Sequence, residues 1–108
     1  MDYGTLSVRA VLVDADTGEA AGCAEFRYPH GVMTDALPDV TPLPADFALA
    51  HPQDYLDGLY TTVRQVLRES GAAAEQVVGI GLDATSSSVL PLDDAGSPLC
   101  FHAAFASH

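Results

Sequence analysis

Residues 6–28, LSVRAVLVDADTGEAAGCAEFRY, decide the architecture. Val8, Val11, Leu12 and Val13 make Leu6–Asp14 a β-rich run. It stops at Asp14-Ala15-Asp16-Thr17-Gly18, whose short acids, threonine and glycine have the chemistry of a tight turn. Glu19–Tyr28 is a second extended run. The two together predict an antiparallel hairpin.

Working outward, residues 29–52 carry Pro29, Pro38, Pro42, Pro44 and Pro52 without a regular hydrophobic period, and are expected to form an irregular surface loop. His51-Pro52-Gln53-Asp54 has the marks of a helix start, with proline in the first turn and an acid near the positive end of the dipole. Tyr55, Leu56, Leu59, Tyr60, Val63, Val66 and Leu67 recur at spacings of three and four. They predict one apolar helix face running to about Ser70, where Gly71 can end it. Val77–Leu82 (VVGIGL) is expected to be a parallel strand buried on both faces. Val89–Leu92 is expected to add a short strand, and Asp93-Asp94-Ala95-Gly96 a turn whose acids face water. The class is mixed α/β: hairpin, long loop, helix, parallel strand.

The bulk chemistry excludes several functions. Four arginines and no lysine stand against fifteen acids, a formal net charge of −11 in 108 residues. Such a surface repels phosphate backbones, so nucleic acid is an unsuitable partner. A nucleotide remains compatible, because metal ions and backbone amides can hold phosphates. No apolar stretch approaches a membrane span, and Met1-Asp2 does not open a signal peptide; a cytoplasmic location is the expectation. Cys23 and Cys100 lack metal-site spacing and are expected to be buried or half-buried free thiols. His30, His51, His102 and His108 are scattered, without the paired spacing of a zinc site. Ser86, Ser87 and Ser88 lie in no nucleophile elbow.

Two segments could carry chemistry. Asp2-Tyr3-Gly4-Thr5-Leu6-Ser7-Val8-Arg9 places an acid, a glycine and two hydroxyls ahead of a strand. Gly4 would let the backbone approach a phosphate, Thr5 and Ser7 could donate hydrogen bonds, and Asp2 could hold Mg²⁺ through water. A solvated N-terminal turn accounts for the same spacing. Asp83-Ala84-Thr85-Ser86-Ser87-Ser88 falls at a strand's carboxyl end, where ligands of open α/β sheets gather, and its hydroxyls could line a polyol pocket. An Asx-type turn explains it equally well.

Taken jointly these residues resemble a known family. DYGTLSVRAVLVDADTG is similar to the first phosphate motif of the actin-like sugar kinases, D-x-G-T-x-S-x-R followed by a Thr-Gly turn. VVGIGLDATSSSVLPLDDAGSPL resembles the block G-[IV]-G-x-D-x-T-x-[SC]-[ST] in the ribulokinase branch of the FGGY carbohydrate kinases. HPQDYLDGLYTTVRQVL resembles the helix that opens His-Pro-x-Asp-Tyr in that branch.

The resemblance implies a partial actin-like (ribonuclease H-like) domain. It also implies ATP- and Mg²⁺-dependent phosphorylation of a ketopentose such as L-ribulose, in arabinose catabolism. Gly4, Thr5, Ser7 and Arg9 would lie on the phosphate side, Asp2 on the metal side, and Asp83, Thr85 and Ser86 near the sugar. The partners would be the sugar and ATP. Residues 1–108 would then form an incomplete N-terminal domain, since the family places an apolar strand before the acid and its catalytic Asp far beyond this region. A chain lacking that first strand is expected to be inactive by itself and to fold loosely or aggregate. Another FGGY polyol kinase, or a non-catalytic acidic α/β interaction module, are the competing readings.

Overall fold

A computed structural model describes residues 1–86 and 88–106. Seven elements carry the argument: β1 (Asp2–Tyr3), β2 (Ser7–Val13), β3 (Ala20–Arg27), β4 (Val32–Met33), β5 (Leu49–Ala50), α1 (Pro52–Ser70) and β6 (Asp83–Ala84). The main sheet runs β3-β2-β1-β6. Its first two pairings are antiparallel and the last, β1 with β6, is parallel. The chain is thus α/β with a mixed sheet and one long helix.

The predicted hairpin is present. Asp14 closes it: one carboxylate oxygen accepts from the Asp16 amide (3.0 Å), the Thr17 amide (2.8 Å) and the Thr17 hydroxyl (3.1 Å). Gly18 takes the left-handed conformation at φ 74° and donates back to the Asp14 carbonyl. Those three donors hold the Asp14 carboxyl below its ordinary value.

Helix α1 begins and ends as the sequence predicts, with Pro52 in the first turn and Gly71 left-handed at φ 72°. Its inner face, however, is not the apolar stripe of the sequence reading. The buried row is Asp54, Gly58, Thr62 and Val66, one residue per turn. Leu56 and Tyr60 are exposed, while Tyr55, Leu59, Val63 and Leu67 flank the row half-buried. The reason is close approach. A Cβ built on Gly58 would sit 2.4 Å from Val8 Cγ1 and 3.1 Å from Phe26 Cδ1. At the other end, a Cβ on Gly22 would meet Val66 Cγ2 at 3.0 Å. Ala10, Ala24 and Val66 fill the middle. Thr62 satisfies its buried hydroxyl on the Gly58 carbonyl at 2.7 Å. Small residues therefore let the helix lie flat on the hairpin, and the larger apolar side chains pack around its edges.

Three further expectations need correction. Residues 77–82 form no strand: Val78, Ile80 and Leu82 are 89%, 66% and 69% exposed. Parallel pairing begins only at Gly81, whose carbonyl accepts from the Met1 amine (3.0 Å), and continues through Asp83 and Thr85. The partner β1 is two residues long, so among the described residues those before Gly81 have no neighbouring strand to bury them. Val89–Leu92 is likewise irregular, with an isolated bridge from Leu92 to Pro98. The 29–52 stretch is more ordered than expected, since β4 and β5 pair within it and Ala36 bridges Pro42.

The turn at residues 93–96 holds, with Gly96 at φ 79°. Asp93 does more than face water. It accepts from the Ala95 and Ser97 amides and pairs with His102 Nε2 at 3.0 Å. Both cysteines are exposed free thiols; Cys23 pairs with the exposed Val11 on the sheet face that no helix covers.

The accessible surface is 7644 Å² and the radius of gyration 16.5 Å. A folded monomer of this mass exposes about 5,700 Å², and 108 residues pack to a radius of about 13 Å. The excess agrees with the exposed 77–82 run. The hairpin and α1 make the packed part of the molecule.

Candidate functional site

The register of β1 brings the two sequence segments together. Asp2 lies opposite Arg9 on β2 and opposite Asp83 on β6. Directly paired residues share a face of the sheet. Asp2, Arg9 and Asp83 are therefore aligned on the open face, and all three are exposed. Tyr3, Val8 and Ala84 occupy the opposite face, beneath α1, where Tyr3 meets Tyr55 at 5.9 Å between ring centres. Among the described residues no ion pair joins Arg9 to either acid.

The turn between β1 and β2 is held by the Gly4 amide, which donates to the Ser7 carbonyl at 2.9 Å. That amide is therefore occupied, whereas no hydrogen bond among the described residues uses the exposed Thr5 amide or hydroxyl. The Thr85 amide and hydroxyl both donate to the Tyr3 carbonyl, at 2.9 and 3.1 Å. Thr85 thus locks β6 onto β1. Ser86 is exposed in the following turn, and Ser87 lies outside the described residues.

Two hollows adjoin this edge. One of about 240 Å³ is lined by Tyr3, Tyr55, Ala84, Thr85 and Ser88. The other, about 370 Å³, involves Thr5, Thr85, Ser88 and Leu90 together with β5 and Pro52. Of the sequence-derived candidates, Thr5 and Thr85 line the hollows, while Asp2, Arg9 and Asp83 form the row on the open face. Ser88 lines both hollows, in keeping with the expectation that the hydroxyls of the 83–88 run could line a pocket, whereas Tyr55 was not singled out as a contact by the sequence. Tyr55 belonged to a helical stripe, which reads as core.

A second cluster escaped the sequence reading altogether. His30, His51 and Asp54, scattered along the chain, converge so that one ligand atom from each lies within 4.8 Å of the others. The Asp54 carboxylate is buried. It accepts the His30 amide at 3.0 Å and faces His30 Nδ1 at 2.7 Å. The His30 and His51 rings stack at 4.1 Å, and His51 Nδ1 is buried without a partner. Burial, and then the neighbouring His30, push the His51 ring below its ordinary value, so it is neutral near pH 7. Spacing rules that look for paired histidines miss this cluster because the 29–50 segment folds back through β4 and β5 to bring His30 to the helix start. The Tyr28 hydroxyl is a second buried polar atom with no partner, and burial pushes its phenol well above the ordinary range.

The acid–arginine–acid row lies on the open face and the hollows on the face beneath α1, both at the β1–β6 edge of an α/β chain with a mixed sheet and one long helix. No protein-family model matches the chain. Curated relatives of the chain include several ribulokinases. The chain is 46% identical over 102 residues to that of Shouchella clausii, covering 94% of the chain and 18% of the relative. It is 45% identical over 106 residues to that of Geobacillus thermodenitrificans, covering 97% and 19%, and 44% identical over 103 residues to that of Bacillus licheniformis, covering 94% and 19%. The chain matches the N-terminal part of an FGGY ribulokinase, as the motifs suggested, and spans about a fifth of those relatives' length. No helix among the described residues is long and apolar enough to cross a membrane.

Proposed function

We propose that this chain supplies the phosphate- and sugar-facing edge of a ribulokinase, which transfers the γ-phosphoryl group of ATP to a terminal hydroxyl of a ketopentose such as L-ribulose. The identity of 44–46% to ribulokinases, sustained over 94–97% of the chain, carries this reading. On it, residues 1–108 are an incomplete N-terminal unit of an actin-like domain, acting in the cytoplasm on the sugar and ATP, with the catalytic Asp supplied by sequence beyond this stretch.

The residues present fit such ligands in part. Asp2 is an exposed carboxylate on the open face, the hard oxygen donor that Mg²⁺ prefers through water. Mg²⁺ would neutralise phosphate charge as the phosphoryl group moves. Arg9, in register with Asp2, can pair with a phosphate oxygen, and the Thr5 amide and hydroxyl are free to donate. Gly4 and Ser7 act in the turn itself, because the Gly4 amide is spent on the Ser7 carbonyl; their part is to keep the turn tight beside the phosphates. On the sugar side, the Asp83 carboxylate in β6 and the Ser86 hydroxyl in the turn after the Thr85 lock would bond a polyol. The contribution of these groups is positioning and electrostatic stabilisation.

The test uses a ribulokinase-length polypeptide with this segment in place, assayed by coupled ADP release with L-ribulose and Mg-ATP. Asp2→Ala is expected to lower kcat at least about tenfold, and Asp83→Ala to raise the KM for ribulose. Full activity in both variants would refute the assignment, and no activity on any pentulose in the unsubstituted polypeptide would refute the function.

A further inference from the structure

We propose that His30, His51 and Asp54 form a binding site for a borderline divalent transition ion such as Zn²⁺, which ties the segment after β3 to the start of α1. The donor set is two imidazole nitrogens and one carboxylate oxygen. Three protein ligands of this kind with an open fourth position suit zinc and disfavour Mg²⁺, which takes oxygen ligands. The site is therefore chemically separate from the Asp2 row.

Four observations support it. The three residues come from the loop after β3, the helix N-cap and the first helical turn, and their ligand atoms already lie within 4.8 Å of one another. Asp54 is only 2% exposed, and its carboxylate is met by the His30 amide and ring alone among the described side-chain hydrogen bonds, so a cation would add compensation for a buried charge. His51 Nδ1 is buried and, among the described residues, makes no hydrogen bond. His30 is about one-third exposed along its side chain, which gives an ion a way in and leaves room for a water in the fourth position.

The geometry also says what must move. Ligand atoms around a tetrahedral Zn²⁺ lie about 3.3 Å apart for bonds of about 2.0–2.1 Å. The rings of His30 and His51 are now stacked 18° from parallel, so their in-plane lone pairs cannot meet at one point. Of the two, the more exposed His30 is the ring that has to turn, giving up its bond to Asp54, while His51 is held at the helix N-cap. Ion binding therefore unstacks the rings and replaces the His30 Nδ1···Asp54 hydrogen bond with metal ligation. The positive end of the helix dipole opposes a cation here; the buried Asp54 carboxylate and the net charge of −11 offset it.

The experiment titrates the 108-residue chain with Co²⁺, following the visible d–d bands of a four- or five-coordinate ion, then displaces it with Zn²⁺ in the presence of excess Mg²⁺. One ion per chain is expected, released by Zn²⁺ and untouched by Mg²⁺. His30→Ala and His51→Ala should each weaken binding at least about tenfold, while His102→Ala and His108→Ala leave it unchanged. Because His51→Ala also alters the helix start, thermal unfolding gives a second reading: Zn²⁺ should raise the midpoint of the unsubstituted chain but not of His30→Ala. Absence of the Co²⁺ bands, or binding that survives His30→Ala or is lost in His102→Ala or His108→Ala, overturns the proposal.

Discussion

Gly58 is where the packing of this chain is most sharply constrained. Alanine there gains about 1 kcal/mol of helix propensity, so an exposed helix would be stabilised by the change. Here the new methyl would lie 2.4 Å from Val8 Cγ1, about 1 Å inside ordinary contact, and 3.1 Å from Phe26 Cδ1. Val8 is fully buried and β-branched, with little rotamer freedom to yield. The helix must lift from the hairpin, loosening Thr62 and Val66 further along the same row. Overpacking of this kind costs about 1–3 kcal/mol, and the severity of the overlap places it in the upper half. Gly58→Ala should therefore lose about 1–2 kcal/mol net. In urea, followed by far-UV circular dichroism of α1, the midpoint should fall by roughly 0.5–1 M at an m-value of about 2 kcal/mol/M. Val8→Ala alone should cost about 2 kcal/mol. Since it removes the clashing methyl, the double variant should be more stable than the sum of the two by at least about 1 kcal/mol. A Gly58→Ala chain as stable as the parent, or strict additivity with Val8→Ala, would refute the close-approach argument.

Gly71→Ala has open space around its new methyl, so only the left-handed backbone penalises it; a loss of about 1 kcal/mol in the same assay is expected, unrelieved by any Val8 change. Tyr28→Phe removes a buried hydroxyl without a partner and should be neutral or stabilising by up to about 1 kcal/mol, and a clear destabilisation would show that the hydroxyl is bonded. Asp14, Asp39 and Asp93 are each held below the ordinary 3.8 chiefly by backbone donors. Their folded values lie below the unfolded one, so their stabilisation is complete above pH 3.8 and is lost as pH falls through the folded values; Asp14→Asn should flatten the acid limb of a midpoint-versus-pH curve, and an unchanged limb would sink that account. Amides of residues 78–80 should exchange with deuterium near the intrinsic rate while those of β2 and β3 are protected, and equal protection would contradict the exposed state of that run.

The hairpin, its turn and both ends of α1 were legible because each rests on local chemistry: Asp14 with Thr17 and Gly18, Pro52 at one helix end, Gly71 at the other. The helix face was misread because hydrophobic periodicity looks for large side chains, and this interface is set by Gly58, Gly22 and Ala24. VVGIGL reads as a buried strand on composition, yet burial needs a neighbour, and along that edge β1 pairs only with Asp83 and Ala84. The alignment of Asp2 with Arg9 and Asp83 depends on register across distant segments, as does the meeting of His30 with His51, and no local pattern encodes either. The family resemblance was legible because the motifs keep their spacing within each segment.

The Thr85 lock on Tyr3 spans 82 residues, among the longest-range contacts that order the Asp2 row. The hairpin turns within a few residues, and α1 packs on it from the middle of the chain. Loop closure favours such contacts first, with the cost of a closed loop rising as the logarithm of its length. Folding should therefore proceed from hairpin to helix, and only then draw β6 alongside β1. Asp2 and Asp83 come into register at that last step, so the two acids are aligned only after the hairpin and helix between them have found their place.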